Sequence, residues 1–118
     1  MTSSSQNGNS RLDFARGTAD TMRVISKRTL VDYWAKVPAA KGELEAWYAE
    51  AKAVTWKTPA EVKAKYGSAS ILKDGRVVFN ICGNSYRLVV WINYGFFTIY
   101  VRFVGTHEEY DEIDAQTV

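Results

Sequence analysis

Cysteine, histidine and proline are scarce here: one Cys, one His and two Pro in 118 residues. The single thiol, Cys82, excludes an internal disulfide and suits a reducing compartment, so a cytoplasmic location is expected. With one His and one Cys, a zinc or iron site would rest on carboxylates alone; neither a metal nor another cofactor is expected. No apolar run approaches the length of a membrane span, so no membrane partner is expected. The Ser-, Asn- and Gly-rich start has no hydrophobic segment, which argues against a secretory signal. Residues 1–21 read as a flexible extension ahead of one domain over 22–118, with Met22 a candidate alternative start.

What is present suits a globular domain. Hydrophobic residues make up 47%, including four Trp, seven Tyr and five Phe, enough for one modest core. The net charge of +2 is unevenly spread: residues 22–107 carry 13 Lys/Arg against six Asp/Glu, and residues 108–114 carry five acids. A basic body suits a polyanionic partner. Lysines that only solvate helix faces would explain the same count.

Periodicity changes along the chain. Met22-Arg23-Val24-Ile25-Ser26 reads as a first strand. Ser26 is a candidate N-cap for a helix carrying Leu30, Tyr33, Trp34 and Val37 on one face. Pro38 suits the first turn of a second helix with Ala40, Leu44, Trp47, Ala51 and Val54 inward. Thr58-Pro59-Ala60-Glu61 is a capping box opening a third, short helix that stops at Gly67. The aromatics on these helices are expected in the core. From residue 69 the pattern alternates, with strands at Ile71-Leu72, Val77–Ile81, Tyr86–Asn93 and Phe96–Val104. Turns fall at Lys73-Asp74-Gly75-Arg76, Gly83-Asn84 and Tyr94-Gly95. Thr106-His107-Glu108-Glu109 is a second capping box, opening a short terminal helix to about Ala115. The fold class is α+β: one N-terminal strand, then a three- to four-strand antiparallel meander, with helices on one face.

The turns imply a register. Centred on Gly83-Asn84, Asn80 faces Arg87; centred on Tyr94-Gly95, Arg87 faces Arg102. One sheet face is then apolar and lies under the helices. The other carries the rows Arg76-Trp91-Thr98, Val78-Val89-Tyr100 and Asn80-Arg87-Arg102. Adjacent arginines repel, so a bound anion would explain their pairing, as guanidinium forks match phosphate oxygens. Solvation, or pairing with the terminal acids, would explain it too. His107 and Tyr110 stand three apart on one helix face just beyond this row.

Two segments carry a resemblance. Val78-Phe79-Asn80-Ile81 with Gly83-Asn84-Ser85-Tyr86-Arg87-Leu88-Val89 is one. Tyr100-Val101-Arg102-Phe103-Val104-Gly105-Thr106-His107-Glu108-Glu109-Tyr110-Asp111 is the other. Over roughly Met22 to the C-terminus the chain resembles the HigB-type toxins of bacterial toxin–antitoxin pairs, within the RelE-like superfamily of compact α+β ribonucleases. The resemblance implies an endoribonuclease that cuts messenger RNA at the ribosome and is silenced by a HigA-type antitoxin with a helix-turn-helix domain. It implies Arg87 and Arg102 on phosphate, and His107 and Tyr110 as acid/base or positioning groups. Lys73, Arg76, Asn80, Trp91 and Tyr100 would be RNA contacts. The chemistry implied is attack of a ribose 2′-hydroxyl on the adjacent phosphate, which needs no metal. Two other readings fit the same pattern: a toxin of this fold that poisons a protein such as gyrase, and a non-catalytic RNA-binding module.

Overall fold

A computed structural model of the protein describes residues 21–118, so the expected extension lies almost wholly outside the described residues. The chain runs β1 (Arg23–Ile25), α1 (Lys27–Lys36), a 3-10 turn (Pro38–Ala40), α2 (Lys41–Ala53), α3 (Pro59–Lys65) and β2 (Ser70–Ile71). After a 3-10 turn (Lys73–Gly75) follow β3 (Arg76–Ile81), β4 (Tyr86–Asn93), a 3-10 turn (Tyr94–Phe96), β5 (Thr98–Thr106) and α4 (His107–Tyr110). The five strands form one sheet in the order β1-β5-β4-β3-β2. β1 pairs parallel to β5 and the other neighbours are antiparallel, so the sheet is mixed. The α+β class expected from the sequence is the one observed.

The helices bury one sheet face. Leu30 of α1, Leu44, Trp47 and Ala51 of α2, and Val62 of α3 pack with Trp56 onto Val77, Phe79, Leu88, Val90 and Ile99. Phe79 lies at the centre of an aromatic cluster, 5.4 Å from Trp47, 6.3 Å from Trp56 and 5.1 Å from Tyr66 between ring centroids. Burying such a ring stabilises the fold by about 1.5–3 kcal/mol, and truncating it to alanine costs about 3–5 kcal/mol. At α3, Thr58 Oγ1 accepts from Glu61 N–H, while the Glu61 carboxylate reaches back to Lys57 N–H at 2.7 Å.

The first hairpin has the expected register, Asn80 opposite Arg87 and Arg76 opposite Trp91. Its turn is wider than two residues: Ser85 N–H bonds Cys82 C=O, and Cys82 and Gly83 take positive φ of 54° and 66°. The turn centre stays at Gly83-Asn84, so the pairing survives. The Glu43 carboxylate of α2 accepts from Cys82 N–H and ties this loop to the helices.

The second hairpin corrects the expectation. Its loop is a 3-10 turn over Tyr94–Phe96 followed by left-handed Phe97, and Asn93 Oδ1 accepts from Phe96 N–H at 3.3 Å. The extra residues move the centre by one, pairing Trp91 with Tyr100 and Asn93 with Thr98. A bulge then shifts the register again between Val89 and Val90: Val90 faces Val101, Val89 faces Phe103, and Arg102 is left without a cross-strand partner. Arg87 therefore faces Gly105, not Arg102, and the adjacent-arginine argument for an anion falls. The observed rows are Arg76-Trp91-Tyr100, Val78-Val89-Phe103 and Asn80-Arg87-Gly105. The bulge lets Val101 and Val104 both join the helix-side core while Phe103 packs on the opposite face.

The terminal helix is also shorter than expected, a single turn over His107–Tyr110. Its capping box is complete: Thr106 Oγ1 accepts from Glu109 N–H at 3.1 Å, and Glu109 Oε1 accepts from Thr106 N–H at 2.8 Å. Asp114 then ends regular structure by accepting from Gln116 N–H through its side chain and from Thr117 and Val118 N–H through its carbonyl. Residues 110–118 cross the second sheet face, where Tyr110, Ile113, Ala115 and Val118 cover Val78, Val89 and Phe103. The face read as solvent-exposed is thus divided by the chain's own terminus.

Candidate functional site

The polar residues of this divided face fall into two groups. The first gathers at the turn end of the first hairpin. Arg87 reaches back across the loop, with Nη2 2.7 Å from Asn84 Oδ1 and Nη1 bonded to the carbonyls of Asn84 and Tyr86. The same Nη2 stands 3.3 Å from His107 Nδ1. The Arg87 guanidinium carbon lies 5.7 Å from the centre of the Tyr110 ring, a cation–π contact. His107 is fixed from its main chain, whose N–H bonds Ser85 C=O at 3.0 Å.

This geometry selects a tautomer. A guanidinium only donates, so His107 Nδ1 accepts from it and the proton of a neutral ring sits on Nε2. Nε2 faces the Asp111 carboxylate at 3.7 Å, with the imidazole side chain 44% exposed. Asp111, His107 and Arg87 therefore form a chain from carboxylate through imidazole to guanidinium, open to a ligand along one side. Gly105, opposite Arg87, makes room for the Phe103 ring and for the Glu109 carboxylate that caps α4: a Cβ there would lie 2.7 Å from both.

The second group lies at the far end of the face, four residues along β4 from Arg87, or about 13 Å by strand rise. Trp91 and Tyr100 stack at 4.9 Å with 19° between their planes. Trp91 also lines, with Arg76, Arg102, Asp74 and Gln116, an open pocket of about 400 Å³. Arg102 Nε donates to the main-chain oxygen of Val118 at 3.2 Å, and Arg76 Nη1 donates to the same oxygen and to the Ala115 carbonyl. Gly75, at φ 81°, admits the Trp91 ring; a Cβ there would stand 2.5 Å from Ile92 O.

Of the residues expected to act together, Arg87, His107 and Tyr110 meet, and Arg102 belongs to the other group with Arg76, Trp91 and Tyr100. Asn80 sits beside Arg87 in its row, with its amide 3.4 Å from Ser68 C=O. Lys73 meets the terminal segment through its main chain, which exchanges two hydrogen bonds with the Gln116 amide. Sequence reasoning missed Asp111, Gly105 and Asn84. Asp111 had a signal, its spacing of four from His107 on a helical turn. Gly105 had one as well, since glycine inside a strand marks a close approach. Asn84 had none, because it read only as a turn residue. Among the described residues, no group of three or more His, Cys, Asp or Glu could hold a metal ion. Among the same residues, no helix is long and apolar enough to cross a membrane.

The α+β domain fits the resemblance, and comparison with known proteins bears out the family. The profile of the HigB toxin family, described as the RelE-like toxic component of a toxin–antitoxin system, matches residues 40–113. The mRNA interferase toxin HigB of Escherichia coli K12 is 35% identical over 92 residues, covering 76% of this chain and 88% of that protein. The mRNA interferase HigB of Shigella flexneri matches to the same extent. The chain belongs to the HigB toxin family, and an antitoxin is its partner.

Proposed function

We propose that this protein is an endoribonuclease toxin that cleaves messenger RNA by transesterification, with the Arg87–His107 group as its catalytic end. The reading is supported by kinship with proteins named mRNA interferases. The single observation that carries it is the 3.3 Å contact between Arg87 Nη2 and His107 Nδ1 on an accessible sheet face. A phosphodiester entering there takes guanidinium hydrogen bonds on its non-bridging oxygens, and these strengthen as the pentacoordinate transition state gains charge. The 2′-oxygen bonds to phosphorus as its proton passes to a base, and the bond to the 5′-oxygen breaks as that oxygen gains a proton. The products are a 2′,3′-cyclic phosphate and a 5′-hydroxyl. The base candidate is His107, once phosphate draws Arg87 away from Nδ1 and frees its lone pair. The nearby Tyr110 hydroxyl is the second proton-carrying group, and Asp111 is a positioning residue for the imidazole.

The same reading assigns mRNA on the translating ribosome as substrate, the cytoplasm as the site of action, and a HigA-type helix-turn-helix protein as the antitoxin. The test is expression of the wild-type chain and of His107→Ala, following growth and transcript ends. Growth arrest with cleavage lost in the variant is expected. Arrest that persists in His107→Ala with no RNA cut in either strain overturns the nuclease reading.

A further inference from the structure

The loop between β3 and β4, residues 82–85, holds both halves of the Arg87–His107 group. Asn84 grips Arg87 twice, through Oδ1 at 2.7 Å from Nη2 and through its carbonyl at 3.1 Å from Nη1. Ser85 C=O accepts from the His107 N–H at 3.0 Å, which fixes the start of α4 against the hairpin. Where this loop goes, the guanidinium and the imidazole follow.

Its backbone needs outside support. The first two loop residues take positive φ, 54° at Cys82 and 66° at Gly83. Glycine adopts that conformation freely, whereas Cys82 carries a Cβ that the left-handed region crowds. The helical layer holds it there. The Glu43 carboxylate, in the first turn of α2, accepts from the Cys82 N–H, a charge-assisted bond. Cys82 Sγ stands 3.6 Å from the Ala39 carbonyl, in the 3-10 turn before α2. Burial, then the hydrogen bond and charge of Glu43, push the Cys82 thiol up, so it keeps its proton and donates.

Glu43 is exposed and makes no ion pair among the described residues, whereas Glu45 and Glu50 of the same helix pair with Lys41 and Lys65. A first-turn acid also favours its helix through the macrodipole. That role needs the charge alone and nothing from the loop.

We infer that Glu43 is a positioning residue for the cleavage reaction: by holding the Cys82 N–H it sets the 82–85 loop, and through Asn84 and Ser85 it sets Arg87 against His107. This rests on the reading of that pair as the catalytic end. Helix α2 thereby shapes a site on the opposite face of the sheet. Misplacing reacting groups by about 1 Å costs up to about 10²-fold in rate, so a loop that relaxes is felt at the phosphate.

The test is single-turnover cleavage of a defined RNA by the full chain and its variants, with melting temperatures to show that each is folded. Glu43→Ala is expected to slow cleavage by about 10-fold or more, with the RNA concentration for half-maximal rate nearly unchanged. Two further variants separate reach from charge. Glu43→Gln keeps an acceptor oxygen at the right length and is expected to restore most of the rate. Glu43→Asp keeps the charge but is one methylene short of the loop, and is expected to stay slow. In the Arg87→Ala chain, Glu43→Ala is expected to cost several-fold less than in the unaltered chain, because much of its effect passes through Arg87. Glu45→Ala is expected to leave the rate unchanged. The reverse order, with Glu43→Asp fast and Glu43→Gln slow, assigns Glu43 to the helix dipole and overturns the inference. Rates equal to wild type in all three Glu43 variants overturn it too and spare the nuclease reading. An unaltered chain that cuts no RNA overturns both.

Discussion

Two arginine groups share one sheet face and are held in opposite ways. Arg87 is gripped from nearby: Asn84 is three residues away on the same hairpin, and the His107 main chain is bonded to Ser85 of its loop. Arg76 and Arg102 are gripped from afar, by main-chain oxygens 39 or 42 and 16 residues away in sequence. The first group is preorganised by a turn within its own hairpin. The second is assembled only where residues 115–118 cross the sheet face. Charge of one sign is thus placed in two ways: by local turn geometry at one end, and by long-range contacts at the other.

The largest expected effect breaks the comparison at its fixed end. Arg87→Ala should lower the cleavage rate by about 10²- to 10³-fold, the range for losing a preorganised transition-state donor, with a much smaller change in RNA affinity. Single-turnover cleavage on a defined RNA measures it. Trp91→Ala should act the other way round, weakening affinity by about 1–3 kcal/mol if a base stacks there and leaving the single-turnover rate of bound RNA nearly intact. Equal effects on rate from both substitutions would erase the distinction. Thr106→Ala removes the cap that starts α4 and should destabilise the fold by about 0.5–2 kcal/mol, read as a lower melting temperature. It should also slow cleavage, because His107 is the first residue of that turn, and leave the Arg76 end unaffected.

The smallest effect lies away from both groups and serves as a control. Burial, then the charges of Glu50 and Glu43, push the Tyr66 hydroxyl from 10.0 up to about 12. The folded state keeps this proton where the unfolded chain loses it. The resulting stability is complete below pH 10 and is lost as pH rises from there toward 12. Tyr66→Phe should flatten the decline of stability across that window, measured by denaturant unfolding at several alkaline pH values, without altering cleavage at neutral pH.

Much of the fold was legible because its signals are local. Thr58 and Thr106 each announce a helix start within four residues, and both caps form. Asn80 opposite Arg87 followed from a turn centre that either loop length shares. The site was half legible: His107 and Tyr110 were expected just beyond the row that holds Arg87 and do meet it, and Arg102 does not join them. Val101-Arg102-Phe103-Val104 holds three apolar residues in four, so alternation alone could not choose which of them face the helices. The choice fell to packing, which places Val101 and Val104 on one side and Phe103 on the other by extruding Arg102 at a bulge.

By itself, then, the sequence determined the order of elements, the capped starts of α3 and α4, the apolar sheet face and the first hairpin, because each depends on contacts between near neighbours. The tertiary structure alone decided the β4–β5 register, the separation of Arg102 from Arg87, and the path of residues 110–118 over the second face. Those outcomes depend on which distant surfaces bury the most apolar area together, and no window of neighbouring residues carries that comparison.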